Sequence, residues 1–415
     1  MIKAQEMRPQ GSESAAFEAA LDRLRRACAD AGSDALVVLR RGELVCEDSF
    51  GTAREPIESM SITKSVVSLA IGRLIDQGKI PSVDTPMHHF FPSWGQGSKQ
   101  SVTLRHVLQH TSGLRALRTT ADIYPAPDFI KLALETELVS EPGEVFFYNN
   151  KAVNLLAGVV QHASGRRLDQ YCRDELFAPL GITDIDWALD RAGNPHAMSG
   201  LRIHPIDLAR LGELMRLRGA FAGQRVVSEA WVDASLTPLS SSERCGLLWW
   251  IIDGPSRFTV TDELLACWES RGVPGPALAK LAKLRGQSYT MAEYSRLRAD
   301  AFGGSESSPR MQREFWGRVG RRDGERVWGP AVGYNANGGM GQWLVVLPRR
   351  GLVAVRMRRE GTGPDPDPKR EARLVMPGFV DLVRALAPDP GEDSPWGADG
   401  PWWLRGLLFL RRLRG

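Results

Sequence analysis

Lysine is nearly absent from this chain, with nine residues against forty-four arginines in 415. Arginine supplies the positive charge, so a lysine at a special position calls for a local reason. Neither sign of charge is in excess. The formal net charge is +4, from 53 basic and 49 acidic residues, and residues 401–415 alone carry four arginines and no acid. Without that tail the chain is neutral, which excludes the broad basic face of a nucleic-acid-binding body. The five cysteines (Cys28, Cys46, Cys172, Cys245 and Cys267) are widely spaced, odd in number and without a Cys-x-x-Cys. They read as reduced, mostly buried thiols rather than a disulfide framework. No apolar run approaches the roughly 18 residues of a membrane span. Residues 1–17 lack the apolar centre of a secretory signal, so a cytoplasmic location is expected. A Gly-x-Ser-x-Gly elbow, a P-loop and a Gly-x-Gly-x-x-Gly turn are all missing.

What is present has the composition of an ordinary soluble globular protein, 43% hydrophobic and 25% charged. Residues 1–15 are polar and read as loose. Residues 16–31 carry Phe17, Leu21, Leu24 and Cys28 at helical spacing. Two short strands follow, 34–39 and 43–49, around a tight Arg-Gly turn. An apolar helix, 61–77, opens a long segment rich in helix and loop that runs to about 240. A strand is expected over 243–253. Residues 255–330 read as an inserted helical subdomain or a flap. Two apolar strands then flank Pro-Arg-Arg-Gly, an amphipathic helix covers 369–387, and 388–400 is a linker. The expected fold is α+β: an antiparallel sheet flanked by terminal helices, with a mainly helical lobe inserted. The α/β lobe then comprises about 16–60, 243–254 and 331–387, and the helical lobe about 61–242.

The lysine that needs explaining is Lys64, in "SMSITKSVVSLAIGRLIDQGKI". On a helix it falls within about 20° of the line through Ile71 and Ile75, so it points along an apolar stripe. Ser61 is its neighbour one turn back and lines up with Ser68 and Gly72, a stripe of small residues that another element can approach. Apolar surroundings disfavour the charged amine, lower its pKa and make it a base near neutral pH. A serine at a helix start sits among unpaired N–H groups that can stabilise an oxyanion. Nucleophile, base and donor together form an acyl-transfer unit. The plain alternative is a helix-start serine followed by an ordinary lysine, since the composition expects about 0.6 Ser-x-x-Lys matches by chance. Tyr148-Asn149-Asn150, 87 residues beyond Ser61, is rarer, at about 0.1 by chance. A phenol near an ammonium ionises more easily and can share proton duty, and Asn150 offers an amide to lysine and substrate. The alternative there is a loop tyrosine with Asn150 as a helix cap.

These motifs, with "SVTLRHVLQHTSGL" at 101–114, "EPGEVFFYNNKAVNLLAGVVQHASGRRLDQYCRDELFAPLGITDIDW" at 141–187, "SGLRIHPIDLARLGELM" at 199–215 and "NANGGMGQWLVVLPRRGLVAVR" at 335–356, resemble serine hydrolases of the β-lactamase and penicillin-binding-protein superfamily. The resemblance is to the class C-like branch with esterases and 6-aminohexanoate-dimer hydrolases. It implies Ser61 as the acylated nucleophile, Lys64 as its proton partner, Tyr148 as general base and acid, and Asn150 as a substrate contact. The family's third motif, Lys-Thr-Gly or His-x-Gly, is here Asn337-Gly338-Gly339 within a glycine-rich run without Lys or His. Alignment on Gln342 implies Gly339 as the second oxyanion donor, with Asn337 and Gly338 beside the substrate. Loss of the cation argues against a carboxylate-bearing β-lactam or D-alanyl peptide and for a small ester or amide. A D-amino-acid peptidase or β-lactamase is the second reading, and a non-catalytic relative kept for binding or assembly the third.

The resemblance implies no metal or organic cofactor. His106 and His110, four apart on an expected helix, have a zinc-compatible spacing but lack the glutamate of His-Glu-x-x-His. Of Trp249 and Trp250, one ring is expected in the core and the other could line the pocket. Asp207 is expected to cap a helix. The tail "WWLRGLLFLRRLRG" could lie on an anionic membrane surface, but a helix docked on the body or a second subunit is preferred, because Gly406 weakens a free helix. Oligomeric state is left open.

Overall fold

A computed structural model describes residues 11–387, apart from 53, 240–243, 256, 271, 304–324, 328, 360–374 and 377. The C-terminal tail and its linker therefore lie outside the described residues. Two compact units emerge, one comprising the chain up to Ile252 with Val332–Ala387, the other formed within Asp253–Ala331.

The first unit is built on a six-stranded sheet. Its strands are β1 (Ala35–Arg40), β2 (Glu43–Asp48), β3 (Trp250–Asp253), β4 (Ala331–Gly338), β5 (Gln342–Leu347) and β6 (Leu352–Met357), in the order β2-β1-β6-β5-β4-β3. The pairs β1–β2, β1–β6, β5–β6 and β4–β5 are antiparallel. Arg41 and Gly42 both have positive φ, 54° and 85°, as the tightest hairpin turns require. The run Ala35–Leu39 is apolar without alternation because both faces of β1 are covered. Leu36 and Val38, with Val345, Leu347 and Ala354, pack beneath helix α1 (Gly11–Asp30) and the last helix Phe379–Arg384. Val37 and Leu39, with Leu344, Val346, Val353 and Val355, face helix Pro205–Arg216 and the helical part of the chain. The period of two along a strand thus sorts one segment between two cores.

Helix α2 (Ile62–Asp76) lies inside the larger core, with 12 of its 15 residues buried. Gly72 presents the small stripe anticipated from the sequence. A Cβ there would meet the Trp231 indole at 2.2 Å, so the helix Glu229–Ser235 approaches α2 through this one missing side chain. The second unit has its own core around Phe258, Trp268, Leu281 and Tyr294. Three helices, Asp262–Ser270, Gly275–Ala282 and Met291–Ala301, accompany a small sheet of Arg257–Thr259, Ser288–Thr290 and Glu325–Val327.

Several sequence expectations need correction. The first helix already begins at Gly11, within the stretch read as loose. Only Trp250–Asp253 of the expected 243–253 strand is a strand. Before it the chain doubles back, with Gly246 N–H bonded to Trp249 O and Leu248 at φ 63°. The expected helix 369–387 is helical over Phe379–Arg384, and much of its first half falls outside the described residues. Asp207 does not cap helix Pro205–Arg216. His204 holds the cap position, and Asp207 bonds Arg210 within the first turn.

Gly72→Ala is expected to destabilise the protein. Removing a mid-helix glycine gains about 1 kcal/mol, but overpacking a fixed indole costs about 1–3 kcal/mol. Urea unfolding should show a lower midpoint, and a raised midpoint would show that Trp231 gives way freely.

Candidate active site

Ser61 occupies the N-cap of α2, but with helical dihedrals (φ −68°, ψ −8°) and no side-chain capping bond. Its hydroxyl is therefore not spent on the backbone, as an ordinary N-cap serine's would be. Met60, just before it, is held at φ 50°, a conformation that costs energy for a non-glycine residue. Lys64 Nζ lies 2.9 Å from Ser61 Oγ and donates to Met198 O at 2.6 Å. It also stands 5.0 Å from the centroid of the Tyr148 ring. The carbonyl and the ring face both favour an ammonium, yet Lys64 is only 3% exposed. Desolvation dominates and lowers its pKa to about 7. The amine is thus poised between donor and acceptor at neutral pH.

The carbonyl that receives Lys64 is itself fixed. Asn154 Oδ1 accepts from the N–H groups of Ala197 and Met198 at 3.1 and 3.2 Å. Thr63, inside α2, accepts from Leu201 N–H through Oγ1 at 3.3 Å. The segment 197–201 is therefore tied both to α2 and to the end of the helix Asn150–Val153, and neither tie is local in sequence.

Tyr148 joins the pair from the loop before that helix. The nearby Ser61 hydroxyl pulls its phenol pKa down, but burial is the larger cause and raises it to about 12. The expected easing of phenol ionisation by a neighbouring ammonium is not found, because burial of the phenol dominates. Tyr148 is a phenol at neutral pH. Its ring stacks on Trp250 (centroids 6.4 Å, 21°) and lies 4.5 Å from the His110 ring. Trp249 is in the core, at 1% exposure.

Asn149, rather than Asn150, caps helix Asn150–Val153, accepting from Ala152 N–H at 2.9 Å while its amide donates to Leu114 O. Asn150 is half-buried, and its side-chain amide has no hydrogen-bond partner among the described residues. His106 and His110 do not share a helix. The helix spans Leu104–Leu108, and His110 lies beyond it at φ 58°. His106 Nδ1 accepts from Thr103 N–H and His110 Nδ1 from Asn149 N–H. Burial holds His110 near pKa 3, hence neutral.

The glycine-rich run ends β4. A Cβ on Gly338 would lie 2.8–2.9 Å from Met60 Cβ, Ser59 O and Ser61 N, so β4 and the turn before α2 meet backbone to backbone. A Cβ on Gly339 would meet nothing within 4 Å. Asn337 alternates to the other strand face, and its amide donates to Asn335 Oδ1 at 3.0 Å. The structure therefore brings Ser61, Lys64, Tyr148 and the Gly338 backbone together, whereas the Asn337 side chain is turned toward its own strand.

A serine hydroxyl beside a discharged buried amine, with a phenol as second proton carrier, can form and break an acyl bond. The sequence reading missed Asn154, Met198 and the placement of His110 against Tyr148. No local motif marks Asn154 or Met198, because their partners are more than forty residues away.

A family model described as Beta-lactamase matches residues 21–375. The 6-aminohexanoate-dimer hydrolase of Paenarthrobacter ureafaciens is 26% identical over 265 residues, 58% of this chain and 61% of that protein. Esterase EstB of Burkholderia gladioli is 29% identical over 178 residues, 36% of this chain and 45% of that protein. The putative penicillin-binding protein PbpX of Bacillus subtilis (strain 168) is 26% identical over 181 residues, covering 41% and 45%. The chain thus spans about half the length of these curated relatives. A putative 6-aminohexanoate-dimer hydrolase from Bacillus anthracis shares the fold, with a TM-score of 0.60 at 16% identity over 88% of this chain and 83% of that one. A putative beta-lactamase from Bacteroides dorei DSM 17855 does so at 0.57 and 16%, over 85% and 93%. With the family model matching most of its length, this chain belongs to the beta-lactamase family.

Proposed function

We propose that the protein is a serine hydrolase that cleaves a small, uncharged ester or amide through an acyl-enzyme on Ser61. The observation that carries the reading is the Lys64 amine, 2.9 Å from Ser61 Oγ, with its pKa lowered by burial to about 7. Neutral Lys64 takes the hydroxyl proton as Oγ bonds to the substrate carbonyl carbon. The carbonyl π-electrons move onto oxygen, and the N–H groups of Ser61 and Gly339 receive that charge. The Tyr148 phenol relays the proton from Lys64 to the leaving alcohol or amine as the carbon–oxygen or carbon–nitrogen bond breaks. Water repeats the sequence on the acyl-serine and restores the hydroxyl. Asn150 and the Gly338 backbone contact the substrate, while Asn337 steadies the end of the strand.

The glycine-rich run carries no cation for a substrate carboxylate, which favours a neutral substrate. A relative named as an esterase fits the same preference, and one named as a 6-aminohexanoate-dimer hydrolase keeps amide cleavage within the substrate class. No helix among the described residues is long and apolar enough to cross a membrane.

A short-chain p-nitrophenyl ester should give a burst near one equivalent in the wild type and none in Ser61→Ala. Equal slow hydrolysis by both proteins would leave a binding or assembly role as the better reading. Rapid turnover of a chromogenic cephalosporin instead would move the substrate class to β-lactams.

The pH profile follows from Lys64. The base is the neutral amine, present above its pKa of about 7 and lost as pH falls. kcat/KM should decline about tenfold per pH unit below that value and level off above it. A flat profile from pH 5 to 8 would remove Lys64 from the role of base. Tyr148→Phe should lower kcat by about 10²-fold or more while leaving KM within a few-fold; unchanged kcat would exclude the phenol as a proton carrier.

A further inference from the structure

Arg356 is a charged residue that the proposed chemistry does not touch. It lies on β6, fully buried at 0% exposure. Its guanidinium has three neutral partners. Nε donates to Ser33 Oγ at 2.7 Å, Nη2 to Ala31 O at 3.0 Å and Nη1 to Gly341 O at 2.6 Å. Burial lowers its pKa only to about 10, so it remains a cation at neutral pH. A buried cation whose direct partners are all neutral is costly unless its carbonyl dipoles are well placed, and here the charge of Asp34 also favours it. Ala31, just past the end of α1, supplies one of them from the negative end of that helix. Gly341 supplies the shortest, and it lies in the turn that carries Gly339.

That turn is conformationally demanding. Met340 sits at φ 62° and Gly341 at φ 81°. Gln342 N–H closes the turn onto Gly339 O. The Gln342 side chain is held by both backbone groups of Arg358, at 2.6 and 2.9 Å. One end of the turn abuts Ser59–Ser61 through Gly338, and the other is pulled toward Arg356. A charge-assisted bond to a carbonyl is about twice as strong as a neutral one, enough to hold a turn whose dihedrals would otherwise relax.

We propose that Arg356 is a positioning residue whose bond to Gly341 O holds the Gly339–Gly341 turn in place, so that the Gly339 N–H is aimed at the substrate oxygen before the substrate arrives. The inference rests on the acyl-enzyme reading of Ser61, and it places the source of oxyanion preorganisation on the far side of the hairpin from the nucleophile.

The test compares Arg356→Lys and Arg356→Gln with Ser33→Ala, which removes one partner of the guanidinium but leaves the Gly341 bond. Rates on a p-nitrophenyl ester are scored per Ser61 titrated by the burst, so an unfolded fraction drops out. Deleting an oxyanion donor costs about 10²–10³ in kcat, so a displaced donor should cost about tenfold or more. We expect that loss in both Arg356 variants with KM little changed, and wild-type kcat in Ser33→Ala. Hydrogen exchange of the Gln342 amide supplies a readout independent of turnover. It should quicken about tenfold or more in the Arg356 variants and stay unchanged in Ser33→Ala. Wild-type kcat and unaltered Gln342 exchange in folded Arg356→Lys would overturn the proposal. A general loss of stability with normal kcat per titrated site would do the same, since it would make Arg356 merely structural. A wild type without a burst would instead defeat the acyl-enzyme reading, and exchange at Gln342 would still decide whether Arg356 holds the turn.

Discussion

The amine of Lys64 is taken out of water by its own helix. α2 is buried on nearly every side, and a lysine at its fourth position from Ser61 has no route to solvent. Within that burial, the Met198 carbonyl and the Tyr148 ring draw the amine toward charge, and desolvation draws it away. The outcome is a group balanced near neutrality beside an uncapped serine hydroxyl. Removing the burial would leave an ordinary ammonium, which cannot accept the serine proton. The rest of the first unit can be understood as what keeps that one nitrogen dry and in place.

Four long-range ties maintain the balance. Asn154 fixes the peptide whose carbonyl meets Lys64. Asn149 and His110 together fix the loop that presents Tyr148, with His110 held neutral so that it adds no charge beside Lys64. Gly338 lets β4 reach the backbone of Ser59–Ser61 without a side chain between them, and Arg356 anchors the following turn from behind. Apart from the Gly338 backbone, none of these residues needs to touch a substrate. Each converts a flexible segment into one with a fixed relation to α2, which is how a preorganised site avoids rearranging during reaction.

Much of the fold was legible in the sequence because it rests on periodicity. The apolar run of β1, the Arg-Gly turn and the apolar stripe of α2 are local patterns with local causes. The Ser61–Lys64 pairing was legible for the same reason, since three residues make one helical turn. Gly72 announced a close approach without naming Trp231 as the partner. Expectations failed where a tertiary contact overrode a local pattern. His106 and His110 have helical spacing, yet the chain leaves the helix after Leu108 so that His110 can accept from Asn149. The apolar 243–253 run looks like one strand, but Leu248 adopts a positive φ and Gly246 packs against the backbone of Ser235.

The sequence alone determined the Ser61–Lys64 pairing, the rare Tyr-x-Asn motif and the glycine run that lacks a cation, because each is encoded by neighbours along the chain. Only the tertiary structure decided the protonation states. The same lysine and tyrosine in water would titrate near their ordinary values; here burial lowers one and raises the other, reversing the expectation that an ammonium would help a phenol ionise. It also decided which of two adjacent asparagines is structural and which glycine is wedged against Ser59–Ser61. Desolvation and close backbone approach depend on what surrounds a residue on every side, and most of those surroundings come from distant parts of the chain.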